Sequence, residues 1–163
     1  MTVIASGQAV HVVLFPMMRG EMTVEAQHLT ELGNQARNAD GMPDASKLSA
    51  ADWARVWRSA DRLSRAASDL ASPAQIDVVG SQARIETDGS AWASPANEIK
   101  RYIDRDRGGF ADRARDLGHI AEQFKRAANT HDAGLLGESA ARLDEVCEAC
   151  HLRFWYPDPK PVE

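Results

Sequence analysis

Four stretches of this 163-residue chain place an apolar residue at every third or fourth position, a spacing that commits each to a helix with one buried face. In the first, Met18, Met22, Ala26, Leu29, Leu32 and Ala36 form the stripe and predict a helix over about 16–38. Pro16 fits its first turn, where the missing N–H has no partner to lose. Upstream, β-branched residues between His11 and Phe15 lower the helix propensity and leave that segment open. The second helix, about 49–71, has Ser49 as N-cap and Trp53, Val56, Trp57, Ala60, Leu63, Ala67 and Leu70 on one face. Gly108-Gly109 opens a third over about 109–130, with Phe110, Ala114, Leu117, Ile120, Ala121, Phe124 and Ala128 as its stripe. The fourth, about 134–153, carries Leu135, Leu136, Ala140, Leu143, Val146, Cys147 and Cys150. Residues 72–108 hold no sustained period and predict a long irregular connection, with room for a short helix near Ile99 to Ile103. No strand is legible. The expectation is an all-α chain, a four-helix bundle in one domain over 1–163.

Composition narrows the function classes. At 44% hydrophobic and 26% charged, the chain has material for a core and is not a disordered polymer. Its net charge of -5 argues against a nucleic-acid binder and suits a basic or neutral partner. No run approaches the roughly twenty apolar residues of a bilayer span.

The two cysteines fall together in Cys147-Glu148-Ala149-Cys150-His151, the spacing of covalent haem attachment. Residues three apart on a helix share a face, so both sulfurs reach one edge of a porphyrin, and His151 joins them four positions after Cys147. Two other chemistries use paired cysteines. A thioredoxin-like pair expects the motif at the start of a helix after a strand, where the dipole lowers a thiol pKa. A zinc site needs a fourth ligand from His11, His28, His119 or His131, and no second paired-ligand motif accompanies it.

A Cys-x-x-Cys-His motif closing the last helix of a bundle resembles the class II c-type cytochromes, the cytochrome c-prime group and its low-spin relatives. The resemblance covers the helical plan over most of the chain, but only Ala140 to Phe154 matches specifically, with Phe154 as the aromatic three residues after the histidine. It implies one haem c per chain, thioethers at Cys147 and Cys150, His151 as proximal iron ligand and Phe154 beside the cofactor. It also places the sixth iron position against the first helix, where a methionine gives an electron carrier and an apolar residue leaves a gas-accessible iron. Met18 and Met22 lie on the stripe there and Met17 off it; Met22, the more central, is the first choice. Methionine at helical spacing also fills cores.

The remaining candidates carry less. Trp53 and Trp57 share a face and are expected to fill the interior. Arg101, Arg105, Arg107, Arg113 and Arg115, interleaved with aspartates, form a solvated face, though one of them or Arg153 is a candidate partner for a haem propionate. The expected function is electron transfer with a redox partner protein, without catalysis of bond making. The alternatives are binding of a small gas (NO or CO) at a five-coordinate iron, or service as the haem subunit of a dehydrogenase docked through 73–97. Class II relatives imply a homodimer. A periplasmic location follows from where bacteria attach haem c, although Met1 to Gln8 has no positive charge of the kind a secretory leader carries.

Overall fold

The computed structural model describes residues 10–73, 75–79 and 94–157 and is mostly helical. A strand β1 (His11–Val13) leads directly into α1 (Leu14–Met17), a π turn (Met18–Met22) and α2 (Thr23–Gln35), which together form one unbroken first helix. There follow α3 (Ala50–Ala71), a strand β2 (Gln75–Asp77), α4 (Ala96–Arg105), α5 (Arg107–Thr130) and α6 (Ala133–Phe154). Each long helix packs on two others: α2 on α3 and α6, α5 on α3 and α6. The short α4 lies against α5 and α6.

The helix ends are set by local chemistry. Ser49 caps α3 through a reciprocal box, its Oγ accepting from the Asp52 N–H at 3.2 Å while Asp52 Oδ2 accepts from the Ser49 N–H at 2.8 Å. Asp132 caps α6 by accepting from the Leu135 N–H at 2.9 Å. Between α5 and α6 the chain turns at His131, which adopts a left-handed φ of 52°. The third of the expected helices, α5, starts at Arg107, one residue before the glycine pair expected to open it. Its cap is Asp106, whose Oδ1 accepts from the Gly109 N–H at 3.0 Å, and a Cβ at Gly109 would collide with that carboxylate.

The stripes become the core. Leu29, Val56, Leu63, Ile120, Phe124, Leu136 and Leu143 are buried. At Gly33 an added Cβ would lie 2.9 Å from the Ala140 Cβ, so glycine is what lets α2 and α6 approach. Trp53 and Trp57 diverge despite sharing a face: Trp53 is buried and stacks on His131, whereas Trp57 is 38% exposed under the Lys125 ammonium. Trp57 is therefore not the core residue the stripe suggested. One step of four residues overshoots a full turn by roughly 40°, enough to carry it to the rim of the buried face.

Two expectations need correction. The segment ahead of Pro16 is not simply an open extension, because β1 pairs in parallel with β2 in the register His11 to Gln75, Val12 to Ile76 and Val13 to Asp77. Val12 and Ile76 are buried beneath this pair, and His11 Nε2 lies 2.8 Å from Asp77 Oδ2. The connection 72–108 likewise holds a strand, β2, that was not expected, while the ten-residue α4 is the short helix expected near Ile99 to Ile103. Residues 80–93, the middle of the segment considered for docking, lie outside the described residues.

Glu25 is the one buried carboxylate among the described residues. Burial pushes its pKa up, but hydrogen bonds from Ser59, Arg62 and His28 outweigh it and hold the carboxyl below its ordinary 4.5. Arg62 Nη1 reaches it at 2.6 Å, tying α3 to α2. A group lowered in the fold stabilises it fully above the ordinary value and loses that contribution as the pH falls through the lowered one. Glu25→Gln is expected to cost about 1–3 kcal/mol near neutrality. In thermal melts at stepped pH, the gap from the parent chain should close on acidification; a gap independent of pH would refute the assignment.

Candidate functional site

The first helix, α3, α5 and α6 do not close completely on one another. Between them lies a cavity of about 630 Å³. Its apolar wall is made by Leu63 and Leu70 of α3, Leu117 of α5, and Leu143 and Val146 of α6. Cys147, Cys150 and His151 all border it from α6, so the structure brings the three motif residues to one surface.

The thiols there are unlike those of a redox pair. Burial, with a smaller push from Asp144, raises the Cys147 pKa to about 11. Burial and the neighbouring Cys147 raise Cys150 to about 12, against the opposing pull of Arg113 and Arg153. Both are free thiols and remain protonated near neutrality. Their place at the end of a 22-residue helix agrees with this, since the C-terminal dipole disfavours a thiolate. Zinc finds no support either: among the described residues no three His, Cys, Asp or Glu side chains converge into a metal-holding group.

His151 is half-buried between Trp155 and Tyr156, with ring centroids 6.3 and 5.7 Å away. Burial draws its pKa below the ordinary 6.5 despite the opposing charge of Glu148, which favours the neutral, ligand-competent imidazole. The Tyr156 hydroxyl donates to Glu148 Oε2 at 2.6 Å and holds that carboxylate in place. Burial, followed by this bond, raises the tyrosine pKa to about 12.

Across the cavity stands the π turn. Thr23 closes it by directing both its N–H and its hydroxyl at the Met18 carbonyl five residues back. Such wide turns recur at functional sites. Met18 and Met22 both border the cavity, whereas Met17 packs on the core beside it. Gly33 lies against Ala140 and Phe15 stacks on Trp155, so α6 runs antiparallel to the first helix. Interpolating between these contacts puts His151 level with the stretch from Arg19 to Met22, so Met18 and Met22 both lie within about a turn of it. Of the two, Met22 is the more deeply buried.

Other sequence candidates fall elsewhere. Phe154 is buried edge-on against Phe110, with ring centroids 5.3 Å apart, and anchors the end of α6 to α5. Arg153 pairs with Asp106, the cap of α5, and lies over the Phe154 ring, so it is engaged away from the cavity. His28 is bound to Glu25 rather than lying free on the surface; His119 is exposed, His131 stacks on Trp53, and His11 pairs with Asp77.

Sequence reasoning missed four wall residues with chemistry of their own. Phe15, Trp155 and Tyr156 bring aromatic rings to the histidine end, and Arg19 sits at the same end with its guanidinium over Phe15. The adjacent aromatics Trp155-Tyr156, directly after the motif, were the available signal. No protein-family model, curated protein or solved structure matches this chain.

Proposed function

We propose that the chain is a c-type cytochrome of the class II kind, a four-helix bundle that holds one haem through thioethers at Cys147 and Cys150 and transfers electrons. The observation that carries this reading is the shared cavity: the Cys-x-x-Cys-His motif borders about 630 Å³ of largely apolar space whose opposite wall presents Met22. That volume is in the range of cofactor sites, roughly 300–1,000 Å³. Its wall is mostly apolar, so an apolar group seated there removes that surface from water.

The donor set fits a haem. Cys147 and Cys150, one helical turn apart, would hold one edge of a porphyrin, and His151 and Met22 would offer its iron a neutral imidazole and a thioether. The buried Nε of Arg113 has no acceptor among the described residues, which suits a group carrying carboxylates. When bound, the haem supplies a one-electron couple between ferrous and ferric iron. The chain's own part is to attach it, orient His151, exclude water with the leucine wall, and favour the reduced state through the Met22 sulfur. Bacterial attachment of haem c places the protein in the periplasm, and its net charge of -5 suits a redox partner with a basic face.

Intact mass and visible spectra of protein matured in a periplasm competent for haem attachment test the proposal. One haem increment that survives denaturation, with a split and intense α band on reduction, is the expected result. A mass equal to that of the polypeptide overturns it. Covalent haem with a broad reduced band keeps the attachment and replaces electron transfer by binding of small gases at a five-coordinate iron.

A further inference from the structure

The charged residues around the cavity are sorted by end. Glu31 on α2 and Asp144 on α6 border it towards the Gly33 and Ala140 contact, whereas Arg19 and Arg113 border it at the level of His151. Arg113 is placed there by α5, whose Phe110 meets Phe154 and whose cap Asp106 meets Arg153, so one turn further along α5 comes beside Cys150 and His151. Its guanidinium is only partly used. Nη1 reaches Asp116 Oδ2 at 3.2 Å, while Nε is buried and has no acceptor among the described residues.

A buried N–H without a partner costs free energy that an incoming acceptor recovers. Arg19 does not share this condition: it is exposed and rests on the Phe15 ring. A carboxylate entering the cavity would be repelled at the Glu31 and Asp144 end and drawn to the arginine end.

Resting on the haem reading above, we infer that Arg113 is a positioning residue for the cofactor, its guanidinium donating to one haem propionate and so fixing the rotation of the ring within the cavity. The planar fork of arginine matches a carboxylate in a way that a lysine ammonium does not. Asp116 holds Nη1 and leaves Nε without a partner among the described residues.

The test compares Arg113→Gln, Arg113→Lys and Arg115→Gln in haem-loaded protein. Arg115 is on the same helix but is exposed and paired to Asp112 at 2.6 Å, so its loss removes the same charge outside the cavity. Haem content by mass and the visible spectrum come first, and a chain that carries no haem overturns both the function and this inference. In loaded protein, the resonance Raman propionate-bending band is expected to shift in Arg113→Gln, to shift partly in Arg113→Lys, and to stay in place in Arg115→Gln. The reduction potential should fall in Arg113→Gln by more than in Arg115→Gln. If the propionate band is unchanged in Arg113→Gln, the pairing is refuted while the haem reading stands, even where the potential moves, because a distant charge alone produces that change.

Discussion

Cys147→Ala/Cys150→Ala protein is expected to lose all of its covalent haem, releasing the cofactor in denaturing chromatography while either single variant retains it through one thioether. The two sulfurs are the only covalent anchors the cavity offers, and each sits one helical turn from the other on its α6 wall. Native double variant should still bind haem loosely, since His151 and the leucine wall remain. Its stability then depends on free haem concentration, as for any ligand that binds only the folded state. Without added haem, loss of even about 3 kcal/mol corresponds to a fall of roughly 6–12 °C in melting temperature for a domain of this size. Differential scanning calorimetry with and without haem measures it. A double variant that melts with the parent would show that the cavity does not need its occupant, and covalent haem in the double variant would overturn the attachment sites.

Met22→Ala should convert a six-coordinate reduced spectrum to a five-coordinate one, lower the reduction potential and open the iron to carbon monoxide. Met18→Ala should do none of these. The contrast rests on burial: the register of the first helix on α6 leaves both methionines within about a turn of His151, but Met22 is buried on the inner stripe whereas Met18 is only partly so. Methionine sulfur favours ferrous iron, which fixes the sign of the potential change. If Met18→Ala alone produces the spectral change, the two roles are exchanged. If neither does, the sixth position has no thioether.

The parts of the fold that were legible are those written locally. Ser49 and Asp52 form their box within four residues, and the stripe from Phe110 to Ala128 needs only its own periodicity, so both could be read before any contact was known. The strand pair could not, because three residues around Val12 and three around Ile76 are too short to establish a period and meet across sixty positions of sequence. The motif residues were legible for the same reason as the caps. Arg113 was one of several arginines named together as propionate partners, and nothing in the alternation with aspartates singles it out; only the packing of α5 on α6 shows that its Nε is buried. Met22 lay between these cases, since the stripe identified it as inward-facing but could not say which inward space it faced.

The π turn has a consequence for chain length. A helix that contains one is an ordinary helix with a residue to spare, and deleting a single residue from Met18–Met22 would let the ladder close in the usual way. Everything upstream would then keep its face, because the wide turn accommodates five residues where an ordinary turn takes four. Phe15 would stay on Trp155 and β1 beside β2. A deletion in the regular part of α2 has no such slack and would swing the upstream segment by roughly 100°. The π turn is therefore the one place in the first helix where a residue can be lost without giving up the N-terminal tether.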